Sequence, residues 1–191
     1  MVIGEAPGKD EDGCGKPFVG KAGRLLSSLL EDVGIKRDDV YITNSVKCRP
    51  PQNRTPTRKE LLACRKYILE EIRTVRPRLI ICVGGSAIKA VMNDYRLSVA
   101  KARTSKFKIF DAVVRTTFHP ASVFRVPYNY KLMQEDLARY FGKSKPEVHE
   151  LHRQVEMIKF SDLENQLKLF AKRGDVVIDI ETNGLEPFKK D

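Results

Sequence analysis

Three short segments bring together residue types that could bind a polar ligand. Gly4-Glu5-Ala6-Pro7-Gly8 offers glycines that let a ligand approach the backbone, beside a carboxylate at Glu5. Ile42-Thr43-Asn44 ends on an amide able to pair with a carbonyl and an imide N–H at once, although Asn44 could equally cap a turn. Thr116-Thr117-Phe118-His119-Pro120 places an imidazole just after an apolar run, where a histidine more often serves a turn or a core. A fourth segment, Asp179-Ile180-Glu181, spaces two carboxylates one residue apart. On a strand both would point the same way and could share a divalent metal, although acidic pairs at strand ends are often merely solvated.

The elements needed to position these groups can be read from periodicity. Met1-Val2-Ile3 reads as the end of a buried strand running into the Gly4–Gly8 loop. Three residues is short for a strand, so further sequence upstream of Met1 is expected. Lys9 to Gly15 reads as an acidic, glycine-containing stretch. Leu25, Leu26, Leu29, Leu30 and Val33 recur at helical spacing and Gly34 follows at a capping position. Val40–Asn44 reads as a strand, and Arg49–Pro56, with three prolines, as loop.

Thr57 with Glu60 forms a capping box, predicting a helix to about Val75. Leu79–Val83 predicts a buried strand, and Gly84-Gly85-Ser86 leads into a helix ending near Met92. Ala112–Phe118 predicts a strand and Lys131–Phe141 an amphipathic helix. The fold class expected is α/β, a three-layer α/β/α sandwich around a central parallel sheet. In such a sheet, the loops carrying Glu5, Asn44 and His119 gather on one rim, where ligands bind. Beyond Gly142 the composition changes. Residues 143–153 read as a linker. From 154 to 191 a strand, a capped helix (Ser161, Glu164) and the strand bearing Asp179 and Glu181 read as the start of a second domain.

Charge narrows the partner. Lys and Arg total 35 against 25 acids, and this excess of +10 favours a polyanion. Between Arg96 and Lys145 stand eleven basic residues and three acids, which suggests a concentrated binding surface. No apolar run approaches a membrane span, so no membrane partner is expected. The four cysteines, with no signal peptide before them, fit a cytoplasmic setting, as thiols or metal ligands.

The stretches GEAPG, PFVGKAG, YITNSVKCRPPQNR and FHPASVFR resemble, in order and spacing, the iron–sulfur, family 4 type of uracil-DNA glycosylase. The resemblance spans residues 1–142. It implies a domain that flips uracil out of DNA and hydrolyses its N-glycosidic bond. Phe18 would stack on the base, Asn44 would read its pairing edge, and Gly4 and Ala6 would line the pocket. His119 would donate to O2 and Glu5 would position water or the pocket. Ser122, Val123, Phe124 and Arg125 would engage the DNA and hold the base out.

The resemblance also implies a four-iron, four-sulfur cluster, to which Cys48 and Cys64 supply half the ligands. The family's first cysteine pair has no counterpart here, Arg103-Thr104 stands where the family has Arg-Gly, and Ala6 occupies a site where other branches place an acid. Cys64 also falls on the apolar face of its helix, which is a structural role by itself. Residues 154–191 resemble the entry to the proofreading exonuclease domain of family A DNA polymerases. Asp179 and Glu181 would be half of a Mg2+ or Mn2+ site that only the complete domain fills. The whole then reads as part of a phage-type polymerase polypeptide with fused domains. The alternative is an inactive DNA-binding or scanning module of such a polymerase.

Overall fold

The computed structural model describes residues 1–142. The expected linker, the second domain, and Asp179 and Glu181 lie outside the described residues.

Five strands form one sheet in the order β2-β1-β3-β5-β4: β1 Val2–Gly4, β2 Ile42–Asn44, β3 Leu79–Val83, β4 Phe107–Ile109 and β5 Ala112–Thr117. The first four in this order as far as β5 are parallel, and β4 pairs antiparallel with β5. The sheet is therefore mostly parallel, which corrects the all-parallel expectation at one edge. The short β1 is an interior strand, hydrogen-bonded to β2 on one side and β3 on the other.

Helices α2 (Lys21–Asp32) and α6 (Asn129–Tyr140) cover one face, and α3 (Arg58–Val75), α4 (Gly85–Met92) and the single turn α5 (Val99–Ala102) cover the other. The period-2 alternation of strands explains the division. Ile3, Ile80, Cys82 and Val114 pack with Leu61, Ile68, Ile72 and Ile88. Val2, Ile81 and Val83, one residue out of phase, pack with Leu26, Leu29, Leu30, Met133 and Leu137. Burial on both faces is why β1 and β3 are continuously apolar in sequence. The Thr57–Glu60 capping box forms as read: Glu60 N–H donates to Thr57 Oγ1 at 3.3 Å and Thr57 N–H to Glu60 Oε2 at 2.7 Å.

From β1 the chain crosses to β2 on one side and then to β3 on the other. The β1/β3 boundary is thus a topological switch point, where diverging connections leave a crevice above the strand ends. The residues after β1 and β3 face each other across it.

Candidate active site

The acidic, glycine-containing stretch contains a helical segment, α1 (Lys9–Cys14), closed by Gly15 at φ +69°. Its Glu11 points into the site. The Glu11 carboxylate accepts N–H groups from Gly8 at 3.1 Å, Val19 at 3.0 Å and Gly20 at 2.9 Å. Burial opposes its ionisation, but the backbone donors outweigh burial and hold the carboxyl below the ordinary glutamate value. One side chain thereby ties the β1 loop to the loop carrying Phe18.

Phe18 is 6% exposed and sits at φ +54°, a left-handed conformation that costs a non-glycine residue about 1–2 kcal/mol. Its surroundings hold it there. Arg37 donates to the Pro17 carbonyl at 2.6 Å. A Cβ on Gly23 would collide with the Phe18 carbonyl, so α2 passes this loop only because residue 23 is glycine. Gly4 is equally constrained: a Cβ there would strike the Phe18 ring and lie 2.5 Å from Asn44 Oδ1. Backbone, ring and amide thus converge on one point.

Asn44 ends β2 and is 6% exposed, and its Oδ1 is buried with no hydrogen-bond partner among the described residues. Lys47 fixes the backbone behind it, donating to the Asn44 carbonyl at 3.0 Å while paired with Glu71 at 2.8 Å. His119 follows β5. Its Nδ1 accepts the Ala121 N–H at 3.2 Å, so in the neutral ring the proton resides on Nε2. Burial lowers its pKa; the carboxylates of Glu5 and Glu11 pull the other way without overcoming burial. The Phe18 and His119 ring centroids are 5.8 Å apart.

Glu5, Ala6, Phe18, Asn44 and His119 line one cavity of about 540 Å³, with Ser122 and Arg125 at its edge. The strand ends and the loops after them thus bring Glu5, Ala6, Phe18, Asn44 and His119 together, while Val123, Phe124, Cys48 and Cys64 lie outside the cavity lining. Two details differ from expectation. Val123 is partly buried and packs against the apolar core beneath α2, so it anchors the loop instead of protruding. In this loop the exposed apolar groups are Phe124, Val126 and Tyr128, at 59%, 50% and 61%. Ser122 is held by Asn129, whose Nδ2 donates to its Oγ at 3.0 Å.

Sequence reasoning assigned no role to Glu11, Asn53, Arg54, Ser86, Val126 or Tyr128. Glu11 was hidden among three successive acids, and nothing in the pattern shows which one faces inward. Asn53, Arg54 and Val126 line the cavity, the first two at the end of the stretch YITNSVKCRPPQNR. Ser86 donates to Glu5 Oε2 at 2.6 Å across 81 residues of sequence, a pairing only the fold reveals.

The linear run of basic residues is not one free surface. Arg96 pairs with Asp94, Arg103 and Arg139 pair with Asp136, and the Arg115 guanidinium lies over Tyr140. Arg103, beside the departure at Thr104, is thus a structural cation.

The cysteines do not assemble a cluster site on their own. Cys48 is exposed, Cys64 is partly buried against the core on α3, and Cys14 is exposed elsewhere on α1. Burial pushes the Cys82 thiol far up, so it is an inert core group. Among the described residues, no three His, Cys, Asp or Glu side chains group as metal ligands. Two thiols do not fit a four-thiolate cluster.

Residues 1–142 match the uracil DNA glycosylase superfamily. The type-4 uracil-DNA glycosylase of Pyrobaculum aerophilum is 44% identical over 149 residues, covering 74% of this chain and 76% of that protein. The type-4 enzyme of Thermotoga maritima is 41% identical over 142 residues, covering 73% and 74%. A DNA polymerase of Bacillus phage SP01 is 29% identical over 197 residues, covering 98% of this chain and 21% of the polymerase. The chain belongs to the uracil DNA glycosylase superfamily and is a DNA glycosylase by that membership. Among the described residues, no helix is long and apolar enough to cross a membrane.

Proposed function

We propose that residues 1–142 bind a uracil flipped out of DNA and hydrolyse its N-glycosidic bond, opening base excision repair. The observation that carries this reading is the orphaned Asn44 Oδ1. A buried acceptor without a partner costs about 1–3 kcal/mol, and a ligand N–H would recover that cost. The N3–H of uracil supplies such a donor and its O4 can accept from the same amide. Cytosine has no N3–H, so it would leave Oδ1 unpaired and present a second acceptor to it.

Phe18 supplies the stacking face. As the C1′–N1 bond breaks, its electron pair passes to the base and charge gathers on O2. His119 Nε2–H, directed by the Ala121 contact at Nδ1, is the donor suited to that oxygen. Water adds to C1′, and Glu5 takes up its proton. Phe124 and Arg125, with Val126 and Tyr128 beside them, supply the apolar and cationic contacts that hold the strand open.

In this reading the polypeptide continues through a linker at 143–153 into the beginning of an exonuclease-like domain at 154–191, where Asp179 and Glu181 contribute half of a Mg2+ or Mn2+ site. The likeness to a phage DNA polymerase over nearly the whole chain supports a polymerase context. The second reading, an inactive scanning module, is favoured by Arg103-Thr104 standing where the family has Arg-Gly.

One experiment separates the two. The chain is incubated with a DNA oligonucleotide carrying a single uracil, and alkali-labile cleavage is measured with Asn44→Ala as control. Cleavage that depends on Asn44 is expected. A folded protein that binds the oligonucleotide and releases no uracil would establish the scanning module instead.

A further inference from the structure

We propose that Ser86 is a positioning residue that holds the Glu5 carboxylate in its working orientation across the switch point of the sheet; this rests on the reading of Glu5 as the group that handles water. Ser86 lies in the first turn of α4, is 6% exposed, and donates its hydroxyl to Glu5 Oε2 at 2.6 Å. That contact joins the loop after β1 to the turn after β3, the two connections that diverge to open the crevice.

The bond has a directional consequence. Ser86 occupies one carboxylate oxygen, and the other makes no hydrogen bond among the described residues, so Oε1 is the atom left to meet water. The same turn also bears on the other side of the reaction. Gly84, at φ +96°, packs so closely that a Cβ there would lie 3.1 Å from His119 Cβ. A single strand-to-helix turn therefore sets both the group facing water and the ring facing O2. Without the hydroxyl, Glu5 can rotate about its side-chain torsions and point either oxygen at the cavity. Positioning of this kind affects the chemical step more than binding, because base recognition belongs to Asn44 and Phe18.

The test measures single-turnover uracil release from a duplex oligonucleotide by the full chain, its Ser86→Ala and Ser86→Thr variants, Glu5→Gln, and the double variant. Affinity is measured in parallel on the same duplex carrying a non-hydrolysable 2′-fluoro-deoxyuridine, and melting temperature reports folding. Loss of one hydrogen bond to a charged group predicts release slower by about 10- to 100-fold in Ser86→Ala, with affinity unchanged and the chain still folded at the assay temperature. Threonine, which keeps the hydroxyl, restores the rate. The double variant is no slower than Glu5→Gln, because Ser86 acts only through that carboxylate. Ser86→Ala releasing uracil at the wild-type rate, while Glu5→Gln is slow, would overturn the role of Ser86 and leave the glycosylase reading standing. Additive losses in the double variant would also overturn it. A wild-type chain that releases no uracil would remove the glycosylase reading itself, and this inference with it.

Discussion

Two polar clusters flank the end of β5 and follow opposite rules. Behind the strand, Asp136 of α6 is fully buried and saturated. It accepts Arg103 Nε at 2.7 Å and Nη2 at 3.0 Å, Thr117 Oγ1 at 2.7 Å and Arg139 Nη2 at 3.2 Å. Tyr140 adds hydrogen bonds to the Thr116 and Arg103 carbonyls, and Arg103 stacks over Phe118. In front, at the cavity, Asn44 Oδ1 has no partner and Phe18 keeps a left-handed backbone. The saturated knot holds β5, and so His119, in place. The unsaturated rim keeps its hydrogen-bonding capacity for something not yet bound. Tyr95 Oη and Thr116 Oγ1 are also buried without a partner among the described residues, and what sets Asn44 apart from them is that it lines the cavity.

That contrast can be broken from either side. The largest expected effect is at the rim. Asn44→Ala should lower kcat/KM for uracil release by about a hundredfold to a thousandfold, with the urea midpoint unchanged or raised, because an orphaned acceptor disappears. A large fall in stability would show Asn44 to be structural.

The knot should respond in the opposite way. Asp136→Ala leaves the partly buried Arg103 cation uncompensated and should destabilise the fold by about 3 kcal/mol, read from urea unfolding. Protein still folded at low temperature should retain most of its activity.

Acid sharpens the comparison further. In the proposed reading His119 donates from a neutral ring, and burial lowers its pKa from 6.5, so activity should hold steady down through pH 6.5 and fall only below it. An acid limb above 6.5 would contradict this. Glu11, held below 4.5 in the folded chain, contributes stability that is complete above 4.5 and lost as pH falls through its folded value. Glu11→Gln should remove that part of the acid dependence, seen as a shallower loss of melting temperature below pH 4.5.

The smallest effect is expected at the exposed strip. Tyr128→Ala should weaken binding to uracil-containing DNA by about fivefold through lost stacking, leaving the release rate of bound substrate unchanged. Fluorescence anisotropy and single-turnover kinetics would measure the two quantities.

Much of the frame was legible because it follows from local rules. The leucine spacing of α2 and the Thr57–Glu60 box of α3 fall within one turn of where they were expected. The elements that escaped lack such signals. Strand β4 is joined to β5 by a two-residue turn that puts Phe110 at φ +50°, with no glycine or asparagine to announce it. Helix α1 has no apolar face, since none of its residues is buried, and so carries no periodicity. The cluster of positive charge was visible as composition, but pairing with Asp94 and Asp136 is a matter of partners brought from 2 and 33 residues away.

The sequence by itself determined which residues could do chemistry, that strands would present them, and that Gly4, Asn44 and His119 would follow or end those strands. Each of these rests on residue type and short-range spacing, where sterics and periodicity act. The tertiary structure alone decided which carboxylate faces the cavity, that Asn44 is left unpaired, that Val123 anchors while Val126 and Tyr128 protrude, and that Ser86 reaches Glu5. Those outcomes depend on strand order, which places side chains 81 residues apart within hydrogen-bonding distance. Strand order is selected by the packing of whole faces, and no local pattern carries it.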